Sequence, residues 1–365
     1  MSGPDPKRVR DEDIVVAACS RADRAEQERL FAQCFKKPLP PRGLEWRYDT
    51  NPVGESISFV ARPPGGSAIS GYACSPRRAI VGGDESTAGI VGETGDVMTH
   101  PDWRKRGFFS RLDRAVMEEA KRRGWALAFG LPNSKSAHIF LELGWEEIGS
   151  VRPWKFLLKS DAVARGARAR DGRWRAWLMP FDVRRCAHGR AKLDAARSAF
   201  RRALIERFDG EVDALSRLVE RDFAFMLRRD AAFLNWRFLR APSKLHRAIG
   251  VYEGTELAGY VVLQLPRKGA GVGYLVDVLG RDQRALHAAL GEGLLELERE
   301  GASVVEATAL DRSWSSVVLR EDGFLAPKSE RRRITCGLPH DGQATTARAS
   351  TSFSNSLSQP RHRYS

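Results

Sequence analysis

Gly95-Asp96-Val97-Met98-Thr99-His100-Pro101-Asp102-Trp103-Arg104-Lys105-Arg106-Gly107-Phe108-Phe109-Ser110 joins a strand end, a basic turn and a helix start. The strand ends near Thr99, and a long helix opens close to Gly107. Three consecutive cations, Arg104, Lys105 and Arg106, fill the turn, and Gly107 can take a positive φ or admit a close backbone approach. The unpaired N–H groups of a helix start and the positive end of its dipole favour an anion there. Together these features make a phosphate cradle. The turn lacks both the GxxxxGK[ST] of a P-loop and the GxGxxG of a dinucleotide site, so those two readings lose ground.

Outward from this segment, strand-like runs bounded by Gly, Pro or polar clusters read as Ile57–Ala61, Ala88–Thr99, Trp125–Phe129, Arg247–Tyr252, Gly259–Leu265, Gly273–Leu279 and Ser303–Ala307. Helical spacing lies between them. Phe109, Leu112, Val116 and Ala120 form one stripe, ended by Gly124, and Leu286, Leu290, Leu294 and Leu297 form another, ended by Gly301. The alternation predicts an α/β (α+β layered) fold, a mixed central sheet flanked by helices.

A diverged internal repeat predicts two tandem domains. Leu44-Glu45-Trp46-Arg47-Tyr48 is echoed by Leu234-Asn235-Trp236-Arg237-Phe238, and Pro52 by Pro242. Gly71-Tyr72, Asp96-Val97 and Leu143-Gly144-Trp145 are echoed by Gly259-Tyr260, Asp277-Val278 and Asp322-Gly323-Phe324. The order is kept throughout while the offset shrinks from 190 to 179. The expected organisation is a disordered tail over 1–12, a cofactor-binding domain over 13–159, a basic inter-domain connection over 160–207, a second domain over 208–339 and a disordered tail over 340–365. An amphipathic helix is expected at Lys192–Phe208, and Trp174 and Trp177 are expected to pack the connection onto a domain.

The chain has 365 residues, 42% hydrophobic and 29% charged, which is a globular composition with enough apolar residues for two cores. No apolar run approaches the length of a membrane span, and Met1–Asp13 is too polar for a signal peptide. Five scattered cysteines form no CxxC pair, which argues against disulfides or a cysteine zinc site and for a reducing cytoplasm. Seven histidines include no HExxH, so no metal is expected. The net charge of +14 has a definite location. Residues 165–175 carry +4, 184–207 carry +6 and 327–365 carry +5, together more than the whole. The predicted domains are nearly neutral, which argues against a nucleic-acid-binding face.

The turn also resembles the pyrophosphate loop of the GNAT superfamily of acyl-CoA-dependent N-acyltransferases, V-x-P-x-[YW]-[RQ]-x-x-G-x-[GA]. Here it reads Thr99 to Phe109, with Phe109 in place of the small residue, as in a subgroup reading R-x-x-G-x-F-S-x-L. Gly130-Leu131-Pro132-Asn133 and Leu143-Gly144-Trp145 match later pieces of the family pattern. The resemblance covers about Leu44–Leu158 and, through the repeat, more weakly about Asp222–Pro327.

The resemblance implies two tandem GNAT-like domains, acetyl-CoA or another acyl-CoA as cosubstrate, and direct transfer to a primary amine. Backbone groups of Val97, Met98 and Thr99 would run along the pantetheine. Amides of Lys105, Arg106, Gly107, Phe108 and Phe109, with the Arg104 side chain and Ser110 at the helix start, would hold the pyrophosphate. Asn133 and Ser136 would face the pantetheine or the thioester end. The reaction needs a base for the amine and a donor for the thioester oxygen. A strand amide near Met98 is the candidate donor, and Glu93, Asp96 and His100 are the candidate bases, acting directly or through water. The tyrosine that serves many family members as general acid falls at Phe140, so Ser136 or water serves the thiolate, or no acid is needed.

After the second copy's strand comes Gly280-Arg281-Asp282-Gln283, with no cradle and an aspartate where phosphate would come. The second domain is expected to be degenerate: to keep the fold, bind no CoA and help form the acceptor site. The tandem subgroup points to a small polar amine such as an amino sugar. Two other readings are a non-catalytic nucleic-acid or partner-binding protein and an aminoacyl-tRNA-dependent transferase.

Overall fold

The computed structural model of the protein describes residues 8–35, 39–81, 88–158, 175–267, 271–326 and 331–338. The strands are β1 (Val15–Ala18), β2 (Ile57–Arg62), β3 (Ser70–Val81), β4 (Ala88–Thr99), β5 (Ala128–Gly130), β6 (Glu146–Leu157), β7 (Arg201–Ile205), β8 (Phe225–Leu227), β9 (His246–Glu253), β10 (Glu256–Gln264), β11 (Val272–Gly280), β12 (Val304–Leu310) and β13 (Arg332–Gly337). The helices are α1 (Arg24–Phe35), α2 (Gly43–Asp49), α3 (Phe108–Arg122), α4 (Ala137–Glu142), α5 (Arg175–Arg197), α6 (Gly210–Glu220), α7 (Ala231–Leu234), α8 (Gln283–Arg299) and α9 (Trp314–Glu321). The chain forms two compact units.

In the first unit the strand order is β1-β2-β3-β4-β5-β13. Neighbours are antiparallel except β4 and β5, which are parallel. Helix α3 lies on one face because Leu112, Val116 and Ala120 recur every four residues and are buried, with Phe109 of the expected stripe partly buried beside them. They meet Ile57, Tyr72 and Trp145 in one core, where each fully buried large aliphatic side chain contributes about 1.5–3 kcal/mol. On the other face Leu30 of α1 packs with Val60 and Met98, and Leu44 and Tyr48 of α2 pack with Ala73.

The second unit repeats the order as β7-β9-β10-β11-β12-β6, with β11 and β12 the parallel pair. Leu286, Leu290, Leu294 and Leu297 of α8 are all buried in its core, as their spacing predicts. Every echo of the internal repeat falls on matching structure. Leu44–Tyr48 and Leu234–Phe238 are helical, and the Gly-Tyr pairs lie on β3 and β10. Gly144 and Gly323 end α4 and α9 at φ +87° and +86°, each followed by a buried aromatic, Trp145 or Phe324.

Several expectations change. Boundaries at 159/160 and 207/208 follow chain order, whereas contacts assign β6 from Gly149 onward to the second unit and β13 from Arg333 to the first. The last antiparallel strand of the first sheet, β13, thus lies beyond the second unit in sequence, whereas β6 leads directly into the unit whose sheet it completes. The helix expected at Lys192–Phe208 ends instead at Arg197. Arg201–Ile205 pairs with Tyr252–Ala248 of β9, and this ladder overrides the local helical period. The basic connection is not a linker where it is described: Cys186 and Leu193 of α5 are buried in the second core. Residues 8–12, expected within a mobile tail, are ordered, and Asp11–Asp13 form a 3₁₀ turn. The remaining tail residues, Trp174 and the Trp177 side chain lie outside the described residues.

Candidate functional site

The turn after β4 is built to leave amides open. Pro101–Trp103 form a 3₁₀ turn, Lys105 takes φ +64° and Gly107 takes φ +72° as the N-cap of α3. No side chain of the described residues caps that helix. Among the described residues, the backbone amides of Lys105, Gly107, Phe108, Phe109 and Ser110 make no hydrogen bond. A Cβ on Gly107 would meet nothing within 4 Å, so a ligand can reach the backbone. Arg104 is exposed, and its Nε donates to the Thr99 carbonyl at 3.2 Å. The Arg106 side chain is turned to other work: it donates to the Val9 carbonyl at 2.6 Å and pairs with Asp11. The main chain of this turn therefore fits a diphosphate, with Arg104 as the flanking cation.

Beside the turn the sheet splits. β4 and β5 pair only at Gly92–Ala128 and Glu93–Phe129, while β4 continues to Thr99. Asp96 and Val97 together face Tyr72, a bulge with Asp96 at φ +49°. The bulge turns Val97 toward the α3 core and Asp96 toward α2. From Thr94 onward β4 has no ladder partner on the β5 side among the described residues. Val97, Met98 and Thr99 thus lie along an open strand edge that an extended, amide-bearing chain can pair with. Met98 also packs its side chain on Leu30, and its carbonyl accepts from Ser70 Oγ at 2.9 Å.

The three candidate bases have different surroundings. Asp96 accepts from the Tyr48 hydroxyl at 2.6 Å and pairs with Arg47, so both α2 residues occupy it. Burial, then the Asp96 carboxylate, pushes the Tyr48 phenol well above its usual range and keeps it a donor. His100 Nδ1 accepts from the Asp102 amide at 3.4 Å and caps the 3₁₀ turn. Glu93 sits at the last rung before the split, 39% exposed and paired with Arg77 at 2.5 Å. It is the candidate carboxylate open to solvent. Arg47, Tyr48 and Arg77 were not singled out as site residues from sequence, although the Leu44–Tyr48 echo marks the segment carrying the first two.

Asn133 Oδ1 accepts from the amides of Lys135 at 2.9 Å and Ser136 at 3.1 Å, and so opens α4. Ser136 Oγ turns back to Asn133. Phe140 is buried against Trp145 at 4.7 Å and Phe109 at 5.0 Å between ring centroids, and Tyr72 stacks on Phe109 at 5.8 Å. One aromatic cluster therefore accounts for both departures from the family pattern, Phe109 and Phe140. Under it Asp113 accepts from Trp145 Nε1 at 3.3 Å, and burial pushes its carboxyl up to about 6.

The corresponding turn of the second unit is closed. Asp282 is the N-cap of α8, and its carboxylate accepts the Ala285 amide at 2.8 Å. A Cβ on Gly280 would lie 2.5 Å from the Leu286 nitrogen, so helix and strand touch where the first unit stays open. β11 still parts from β12 after Leu275, and Asp277 still holds a tyrosine and an arginine, Tyr260 at 2.7 Å and Arg229 at 2.9 Å.

Residues 16–148 match the family profile described as Acetyltransferase (GNAT) domain. No curated protein matches the chain in sequence. Among solved structures, a probable N-acyltransferase from Enterococcus faecalis V583 aligns at TM-score 0.62 and 12% identity, over 90% of this chain and 72% of that one. A GCN5-related N-acetyltransferase from Anabaena variabilis ATCC 29413 aligns at 0.60 and 11%, over 90% and 73%. A tandem GNAT protein from the clavulanic acid biosynthesis pathway aligns at 0.54 and 13%, over 90% and 100%. At these identities the likeness is one of fold. Among the described residues no helix is long and apolar enough to cross a membrane.

Proposed function

We propose that this chain, a tandem GNAT protein with its acetyltransferase domain at residues 16–148, transfers an acyl group from acyl-CoA, most simply acetyl-CoA, to the primary amine of a small polar acceptor such as an amino sugar. One observation carries the reading: an uncapped helix start with open amides stands beside a strand edge freed by the β4–β5 split. The amides of Lys105–Ser110 bind the diphosphate, with Arg104 beside them. The edge at Val97–Thr99 orients the pantetheine, and an amide near Met98 receives the developing negative charge on the thioester oxygen. Asn133 shapes the start of α4 and supports the thioester end together with Ser136.

Glu93 takes the proton from the acceptor amine, directly or through water, because it is the most solvent-exposed of the three candidates. The Arg77 pair holds the Glu93 carboxylate in place. Phe140 supplies no proton, and the thiolate leaves without an acid from that position. The basic segment 184–207 gives little support to a nucleic-acid reading. Arg190 pairs with Glu298, Lys192 with Asp322, Arg197 with Glu292 and Arg202 with Glu296.

The test combines calorimetry with a thiol-release assay over amino sugars, aminoglycosides, polyamines and peptides. Acetyl-CoA is expected to bind the wild type and to bind Arg104→Ala more weakly. Absence of binding, or an unaffected Arg104→Ala variant, sinks the proposal.

A further inference from the structure

Lys105 stands in the left-handed region at φ +64° without being glycine. That backbone is unfavourable for a residue with a Cβ and persists only where the surroundings over-determine it. On one side Arg104 is tied to the Thr99 carbonyl. On the other, Arg106 is held by residues about a hundred positions earlier. It donates to Val9 O at 2.6 Å, pairs with Asp11, and lies over the Trp103 ring at 4.8 Å from the centroid. One turn into α3, Arg111 donates to Asp11 O at 2.8 Å and to Ile14 O at 2.5 Å. Val9 and Ile14 pack on Trp103 and Phe108 from below. β1 then fixes the segment to β2 through Val15–Arg62 and the following rungs.

We infer that Val9–Ile14 form a clasp that holds the Lys105–Gly107 turn in its ligand-ready backbone, with Asp11 and Arg106 as positioning residues rather than ligands of the anion. The inference rests on the acyl-CoA reading of that turn. It assigns a role to a segment outside the matched domain profile, which begins at residue 16. It also explains why a strongly basic turn spends its most buried arginine on an internal carboxylate.

A competing arrangement makes the opposite prediction. If Arg106 were an anion ligand blocked by Asp11, removing the carboxylate would tighten binding.

The test is acetyl-CoA calorimetry on the full chain carrying Asp11→Ala, alone and with Lys105→Ala or Lys105→Gly. Both Lys105 changes remove the same charge, but only glycine takes φ +64° freely. Asp11→Ala is expected to weaken binding about fivefold to tenfold in the wild-type and Lys105→Ala backgrounds, and by less than about twofold with Lys105→Gly. Asp11→Glu is expected to recover most of the loss. Tighter or unchanged binding in Asp11→Ala overturns the clasp, as does an equal loss in the Lys105→Gly background. Amide hydrogen exchange over residues 111–115, the first hydrogen-bonded turn of α3 that starts with Arg111 N on the Gly107 carbonyl, measured without ligand, separates the two ideas. Faster exchange in Asp11→Ala with no acetyl-CoA binding by the wild type upholds the clasp and removes the acyl-CoA reading. Unchanged exchange removes the clasp.

Discussion

After β4 the chain makes a turn with two left-handed residues, and α3 begins with no side-chain cap. After β11 it turns at Arg281–Asp282, and α8 begins with the Asp282 carboxylate on the Ala285 amide. Both turns stand at the same place in the same strand order, beside a split parallel pair. Helix N-terminal amides are satisfied in one turn by the protein's own anion and left open for a ligand in the other. The difference teaches that one strand order accommodates either turn: in the second, a carboxylate cap and a close glycine contact stand where the first leaves amides open.

The strongest way to break the contrast is to give the first turn the second turn's solution. Gly107→Asp places a carboxylate at the N-cap of α3, and acetyl-CoA affinity is expected to fall at least about 100-fold by calorimetry. Chemistry is tested next. Glu93→Gln is expected to lower kcat about 100-fold while acetyl-CoA affinity stays unchanged. Equal losses in both would make Glu93 a structural residue.

The two cores also differ in how they hold acid. Glu292 and Glu296 of α8 are buried but paired with Arg197, Arg202 and Arg247. Asp113 of α3 is buried, its Oδ2 accepting from Trp145 Nε1 and its Oδ1 without a hydrogen-bond partner among the described residues. Its neighbours that titrate or carry charge are Tyr72 and Cys74 of β3 and Arg114 of its own helix. Burial raises its folded value to about 6 from an ordinary 3.8. The stability it contributes is therefore present below about pH 4 and lost as pH rises through about 6. Asp113→Asn is expected to raise unfolding free energy by about 1–2 kcal/mol at pH 7.5 and to converge with the wild type below pH 4. Urea titrations across that range measure it, and a destabilised variant at pH 7.5 would contradict it.

The smallest expected effect is at the closed turn. Asp282→Ala removes the α8 cap and is expected to cost about 1 kcal/mol. Acetyl-CoA stoichiometry should stay at one per chain, because the Gly280–Leu286 contact keeps the turn shut. A second binding event would mean that the carboxylate alone closes the site.

Much of this contrast was legible in the residues. The run Ala88–Thr99 coincides with β4, and the stripe Leu286–Leu297 with the buried face of α8. The basic turn and Asp282 stand out because capping chemistry works over three or four neighbouring residues. What surrounds the candidate bases was not legible. Arg47 and Tyr48 reach Asp96 from α2, Arg77 reaches Glu93 from β3, and Asp11 reaches Arg106 from the first strand's approach. No local pattern announces pairs so far apart in sequence.

The chain itself determined two copies of one layered domain and placed an open, basic turn in only the first. Periodicity, glycine conformation and helix capping act between near neighbours, so they can be read along the chain. Only the tertiary structure decided that β13 completes the first sheet and β6 the second, and which carboxylate before the turn stays accessible. A backbone ladder accepts any strand of suitable pattern whatever its distance in the chain, and an ion pair depends on distance in space alone.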